Sequence, residues 1–175
     1  MKNKALFLDR DGIVNIDKHY VFKKDDFCFI DGIFRLVANA KDFNYKVIII
    51  TNQSGIGRGI FSEKQFLDLN TWMLNEFSNN SAPIDDVYFC PNHPKEGIGK
   101  YKISDGRRKP ESGMFFEASK DHDLDLSRSI MVGDKVSDME AAEKSGIRKL
   151  FLYSDKVKYK NSVIIKKLDD VIKIL

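Results

Sequence analysis

The sequence predicts a three-layer, Rossmann-like α/β domain with a mostly parallel central sheet, and three observations carry that expectation. Short apolar runs without period-two alternation recur along the chain, as strands buried on both faces require. Amphipathic stretches of helical length separate them, and parallel strands need such crossovers. The 175 residues are 42% hydrophobic and 31% charged, the balance of one ordinary globular core. Residues 1–175 are therefore expected to form a single domain.

The strand candidates are Ala5–Leu8, Lys46–Ile50, Asp86–Cys90, Ser129–Val132 and Lys149–Tyr153. The helix candidates are Gly32–Asp42, Glu63–Phe77, Glu111–Asp121, Ser137–Ser145 and a terminal Leu168–Leu175. Ser62 with Gln65 makes a capping box for the second helix, and Gly146 is placed to end the fourth. Lys156–Lys167 is polar and lysine-rich enough to read as a loose surface segment. Asp9–Asp31 and Pro91–Pro110 are too long for simple connections, and loops of that length are usually functional. No inserted cap domain is visible, so these loops must cover the site or leave it open.

The 29 basic against 26 acidic residues leave a formal charge of +3, too small a surplus for a nucleic-acid-binding face. A small neutral or anionic ligand fits better, and no nucleic-acid or membrane partner is expected. No apolar stretch approaches the roughly 20 residues of a membrane span, and Ala5–Leu8 is far short of a signal-peptide core. A cytoplasmic monomer is expected. The two cysteines, Cys28 and Cys90, read as reduced thiols without a disulfide.

In an open parallel sheet, ligands bind beyond the carboxyl ends of the strands. After the first strand comes Asp9-Arg-Asp11-Gly12; after the second, Thr51-Asn-Gln-Ser-Gly55 with Arg58; after the third, a loop ending Arg107-Arg-Lys109-Pro110; after the fourth, Gly133-Asp134 with Asp138. Each piece alone has a plain structural explanation: a solvated turn, a helix cap, a basic loop. Their convergence on one edge is what phosphoryl transfer through an aspartate demands, because a carboxylate attacks phosphorus only where cations offset the repulsion between two anions.

In that reading Asp9 is the nucleophile, and Mg²⁺ is held by Asp9, Asp134 and the main-chain carbonyl of Asp11. The chain must turn at Gly12 to bring Asp11 back, where it protonates the leaving oxygen and then deprotonates the attacking water. Thr51, its neighbouring N–H groups and Lys109 hold the phosphoryl oxygens. Asp138 orients Lys109 or a metal-bound water.

Leu8-Asp-Arg-Asp-Gly12 with Asn15, Phe29-Ile-Asp-Gly32, Thr51 to Gly59, Cys90-Pro-Asn-His-Pro94, Arg108-Lys-Pro110 and Val132-Gly-Asp-Lys135 with Asp138-Met139 resemble the motifs of the haloacid dehalogenase superfamily. Within it they are most similar to the branch of heptose-bisphosphate phosphatases, which also contains histidinol-phosphate phosphatases. The resemblance covers about Lys4 to Tyr153. It implies a Mg²⁺-dependent phosphatase that removes the C7 phosphate of D-glycero-D-manno-heptose 1,7-bisphosphate, in nucleotide-heptose synthesis for surface polysaccharide. It also implies that Asn52, Arg58 and Arg108 contact substrate. A bisphosphate gives two basic groups besides Lys109 a purpose, since the distal phosphate needs its own anchor.

The resemblance has limits. Ile13 stands where the family usually has Thr. The family's zinc loop reads Cys-x-His and then Cys-x-Cys before Arg-Lys-Pro; here Cys90 remains, Asn92 takes the His position, and Asp105-Gly-Arg107 replaces the second pair. Structural zinc is therefore expected to be absent, with Ile98, Tyr101, Ile103 and the prolines holding the loop by packing and rigidity. The alternatives are histidinol phosphate as substrate, a phosphate-accepting receiver-like signalling domain, and a nucleic-acid 3′-phosphatase. Against the receiver reading, the acceptor position after the third strand is Cys90-Pro91, and Asp11 favours turnover over storage.

Overall fold

The computed structural model describes residues 2–175, and among them six strands form one sheet in the order β3-β2-β1-β4-β5-β6. The strands are β1 (Lys4–Leu8), β2 (Tyr45–Asn52), β3 (Asp86–Cys90), β4 (Ile130–Gly133), β5 (Lys149–Tyr153) and β6 (Val163–Ile165). Every pairing is parallel. The helices are α1 (Ile33–Asp42), α2 (Ser54–Gly57), α3 (Glu63–Asn79), α4 (Gly113–Asp121), α5 (Val136–Lys144) and α6 (Asp169–Ile172).

Alternation along β1 explains the layers. Leu6 and Leu8 face a core built with Leu36 and Val37 of α1, Met73 and Phe77 of α3 and Val171 of α6. Ala5 and Phe7 face the opposite core, with Phe115 of α4 and Met139 and Ala142 of α5. Both faces are covered, so the strand reads as an unbroken apolar run. The Ser62–Gln65 capping box opens α3 in both directions. Gly146 ends α5 at φ +97°, a left-handed conformation that glycine adopts without a Cβ penalty.

Two stretches differ from the sequence expectation. Lys156–Lys167 is not wholly loose: Val163–Ile165 pairs with Phe151–Tyr153 as a sixth, edge strand. Its three β-branched residues are enough for one short edge pairing, but the surrounding lysines hide them in any wider window. The terminal helix is a single turn, Asp169–Ile172, because only Val171 on it is buried.

Candidate active site

The strand order reverses at β1, whose neighbours are β2 on one side and β4 on the other. A crevice opens there beyond the strand ends, as in other doubly wound sheets. Asp9 follows β1 directly, and its N–H donates to the Val132 carbonyl of β4 at 3.0 Å. Asp134 follows β4, and Asp138 lies in the first turn of α5, where it accepts from the Lys135 N–H at 3.0 Å. Asp9, Asp134 and Asp138 each offer an oxygen within 4.8 Å of the other two.

Lys109 reaches into this group from the far end of the Pro91–Pro110 loop. Its Nζ lies 2.8 Å from Asp9 Oδ1, 2.6 Å from Asp138 Oδ1 and 2.8 Å from the Ile50 carbonyl. One buried lysine thus contacts two carboxylates, with the Asp134 carboxylate beside them. Burial pushes the Asp9 carboxyl up to about 8, against the pull of Lys109, with Asp138 and Asp134 adding to the rise. Burial likewise raises Asp134 to about 6, against Lys135. Burial would lower the Lys109 ammonium, but Asp138 and Asp9 outweigh it and raise it. In an isolated ion pair the acid would fall while the base rose. Here both rise: burial lifts Asp9 first and the neighbouring acids add to it, while the same acids outweigh burial at Lys109.

That acidic cluster fits a hard divalent cation. Asp134 Oδ1 is buried without a hydrogen-bond partner among the described residues, and an oxygen-only set around it suits Mg²⁺. Asp9 and Asp134 are the side chains that would hold it, with the Asp11 carbonyl as the main-chain group. The approach is close: a Cβ on Gly12, at φ +106°, would stand 2.3 Å from Asp134 Oδ2.

Asp11 returns to the cavity through the turn at Gly12, as expected, and its carboxylate accepts four hydrogen bonds. Oδ1 accepts from Arg10 Nη2 at 2.9 Å and Asn15 Nδ2 at 3.0 Å; Oδ2 accepts from Arg10 Nε at 3.2 Å and Gln53 Nε2 at 2.9 Å. Gln53 Nε2 also donates to Thr51 Oγ1 at 2.9 Å, joining the acid to the hydroxyl. Neither Arg10 nor Gln53 was singled out by sequence reasoning. Gln53 lies two residues beyond Thr51, a spacing that could have placed both side chains on one side of the chain. No comparable signal marked Arg10, which lies between two aspartates and reads as surface charge.

Asn52 lines the cavity, but both ends of its amide hold Lys109: Nδ2 donates to the Lys109 carbonyl at 2.9 Å, and the Lys109 N–H donates to Oδ1 at 3.0 Å. Arg58 and Arg108 do not line the wall over Asp9 among the described residues. Arg58 pairs with Glu96 and stacks 5.9 Å from the ring centroid of Tyr20, which does line the cavity. Arg108 Nη1 donates to the Asn92 carbonyl at 3.2 Å, and burial, followed by other neighbouring charges including Arg58, shapes a net fall in its pKa.

The Pro91–Pro110 loop does not close in the way the sequence suggested. Ile98 is 65% exposed and Ile103 48%, so they do not pack it shut. Tyr101 alone of the three lies against the Ile56, Phe61 and Phe66 cluster. Asp105 ties the two ends together instead: Asn92 Nδ2 donates to it at 2.5 Å, the Cys90 thiol at 3.5 Å and the Arg107 N–H at 2.8 Å. Burial pushes the Cys90 thiol up to about 11. Among the described residues no trio of metal-ligating side chains gathers in this loop. The residues present do not fit a structural zinc. Cys28 and Cys90 are both free.

A parallel sheet with an aspartate beyond its first strand, a lysine beside it and two further acids from the fourth is the arrangement of the haloacid dehalogenase-like hydrolases, and their HAD-hydrolase-like model matches residues 106–167. The chain is 51% identical over 156 residues to a D-glycero-alpha-D-manno-heptose-1,7-bisphosphate 7-phosphatase of Burkholderia mallei, covering 89% of this chain and 82% of that one. It is 46% identical over 147 residues to a D-glycero-beta-D-manno-heptose-1,7-bisphosphate 7-phosphatase of Vibrio cholerae, covering 84% and 79%. A solved D,D-heptose 1,7-bisphosphate phosphatase from B. bronchiseptica, complexed with magnesium and phosphate, superposes with a TM-score of 0.84 at 25% identity over 98% of this chain and 97% of that one. The chain belongs to the family of heptose-1,7-bisphosphate 7-phosphatases.

Proposed function

We propose that this chain hydrolyses the C7 phosphate of D-glycero-D-manno-heptose 1,7-bisphosphate and leaves the 1-phosphate, a step in making nucleotide-activated heptose for surface polysaccharide. The observation that carries the reading is Asp9 held at 2.8 Å by the buried Lys109 at the strand-order reversal. Asp9 attacks phosphorus and forms an aspartyl phosphate while the bond to the C7 oxygen breaks. Asp11 gives that oxygen its proton, then takes one from water as the water attacks the aspartyl phosphate and releases inorganic phosphate. Thr51 and Lys109 hold phosphoryl oxygens, and Asn52 acts by fixing the Lys109 backbone. Mg²⁺ bound by Asp9, Asp134 and the Asp11 carbonyl would offset the charge of nucleophile and phosphate. Half-buried Arg58 and Arg108, beside Tyr20 at the cavity's edge, are the anchors for the distal phosphate.

The protein works as a cytoplasmic monomer without structural zinc in this reading, and without nucleic-acid or membrane partners. No helix among the described residues is long and apolar enough to cross a membrane.

Phosphate release from heptose 1,7-bisphosphate, heptose 7-phosphate and histidinol phosphate tests the assignment. A charged hydrogen bond to the distal phosphate is worth roughly 1.5 to 3 kcal/mol, so the bisphosphate should lead the monophosphate by about ten- to hundredfold in kcat/KM. Arg58→Ala or Arg108→Ala should erase most of that gap, and Asp9→Asn should reduce turnover to background. Equal efficiency on the two heptose phosphates, or faster turnover of histidinol phosphate, would overturn it.

A further inference from the structure

The carboxylate of Asp11 is held from behind by a buried charge that lies outside the cavity wall. Arg10 is 1% exposed, and it does not line the cavity. Its guanidinium forks onto Asp11 through Nε at 3.2 Å and Nη2 at 2.9 Å. Nη2 also donates to the Val21 carbonyl at 2.8 Å, and the guanidinium carbon lies 5.5 Å from the ring centroid of Phe66. Among the described residues Asp11 is its only ion-pair partner. Among the described residues Nη1, also buried, has no hydrogen-bond partner. A buried charge left partly unsatisfied is a poor way to stabilise a core, and apolar side chains of similar volume often do as well or better.

We propose that Arg10 is a positioning residue for the reaction, holding Asp11 in the one orientation that serves both proton transfers. This rests on the reading of Asp11 as the acid and base. A carboxylate accepts about four hydrogen bonds, and Asp11 has four. Arg10 supplies two and Asn15 one, none from the cavity wall; Gln53 supplies the fourth and does line the cavity. The Gln53 bond is therefore the one that a leaving oxygen or a water can replace, while the other three keep the carboxylate plane fixed. A lysine could keep the charge but not the fork, so Arg10→Lys leaves Asp11 present and free to rotate. The Val21 contact also fastens this support to the segment that ends the substrate-lining stretch Asp17 to Tyr20.

The test compares Arg10→Lys and Asp11→Asn with the unmodified enzyme on heptose 1,7-bisphosphate and on p-nitrophenyl phosphate. Misplacing a group by about 1 Å costs on the order of a hundredfold. Arg10→Lys should lower kcat on the sugar phosphate by about ten- to hundredfold and leave KM within about twofold. Nitrophenolate departs without a proton, so aspartyl phosphate still forms from the aryl substrate while its hydrolysis, which needs Asp11 as base, slows. Stopped-flow absorbance should then show a burst approaching one nitrophenolate per chain in both variants. Equal losses on both substrates with no burst, or an unchanged kcat, would overturn the assignment to Arg10. If Asp11→Asn itself keeps full turnover, the reading of Asp11 fails instead. If Asp11→Asn bursts and Arg10→Lys does not, only the role of Arg10 falls. Thermal unfolding with and without Mg²⁺ separates both results from misfolding.

Discussion

Lys109 Nζ lies 2.6 Å from Asp138 Oδ1, and this buried pair fastens the loop from β3 to the first turn of α5. The same lysine also contacts Asp9 at 2.8 Å, so a single side chain joins the loop, α5 and the residue that follows β1.

Replacing it should therefore harm stability as well as turnover. Lys109→Met strands two carboxylates in the interior, and breaking a buried pair costs about 3–5 kcal/mol. At roughly 2–4 °C per kcal/mol for a chain of this size, calorimetry should show a fall of about 6–20 °C in Tm. Activity should drop to background. A Tm within about 2 °C of the unmodified protein would contradict the structural role.

Gly12→Ala tests the approach of the first loop to Asp134. The new methyl would meet Asp134 Oδ2 at 2.3 Å in a left-handed backbone, so one of the two must move. The backbone conformation alone costs about 1–2 kcal/mol. The variant should fold with reduced stability, lose most activity, and require a higher Mg²⁺ concentration for what remains. A Mg²⁺ titration matching the unmodified enzyme would refute this account of Gly12.

Stability should depend on pH in an unusual direction when Mg²⁺ is removed. Burial raises the folded-state Asp9 to about 8 and Asp134 to about 6, from ordinary values near 3.8. Between about pH 4 and 8 the folded chain therefore binds more protons than the unfolded chain, and these two groups make stability fall as pH rises. Chemical denaturation in chelator should show that decline, and Asp9→Asn should flatten it. Saturating Mg²⁺ binds the ionised carboxylates and should also flatten it, adding about 2.7 kcal/mol at a hundred times its Kd. A decline that persists unchanged in Asp9→Asn would assign it to other groups.

The loop that carries Lys109 should not need zinc. Elemental analysis should find no stoichiometric zinc, and a zinc-selective chelator should leave folding and Mg²⁺-dependent activity intact. Asp105→Ala removes the acceptor shared by Asn92, Cys90 and the Arg107 N–H. It should cost about 1–3 kcal/mol and speed proteolysis between Pro91 and Pro110. Cys90→Ser should be mild. One zinc per chain would reverse this conclusion.

The strands and the order of site residues were legible because both depend on local pattern: an apolar run buried on two faces, followed by a polar residue at its carboxyl end. The Asp9, Thr51 and Asp134 positions follow from that alone. The supports behind them were not legible. Arg10 looks like surface charge in sequence, since only the fold reveals that Phe66 and the Val21 carbonyl enclose it. Ile98 and Ile103 looked like packing residues because apolarity is visible in sequence and exposure is not. Asp105 drew notice as a residue out of place in a metal loop, yet its role as a hydrogen-bond hub depends on Asn92 lying opposite. Val163–Ile165 has a strand's composition and too few residues to outweigh the lysines around it.

The pairing of β1 with β4 sets when this molecule can become an enzyme. Leu8 lies beside Val132, so the aspartates that follow those strands meet only after most of the polypeptide has been made and threaded into place. Contacts this distant along the chain form slowly, after the nearer β1–β2 pairing. A nascent chain still short of its fourth strand carries Asp9 without Asp134 beside it, so the acidic cluster cannot yet be complete. During refolding, helix content should return before Mg²⁺ binding, and catalysis should return with the metal.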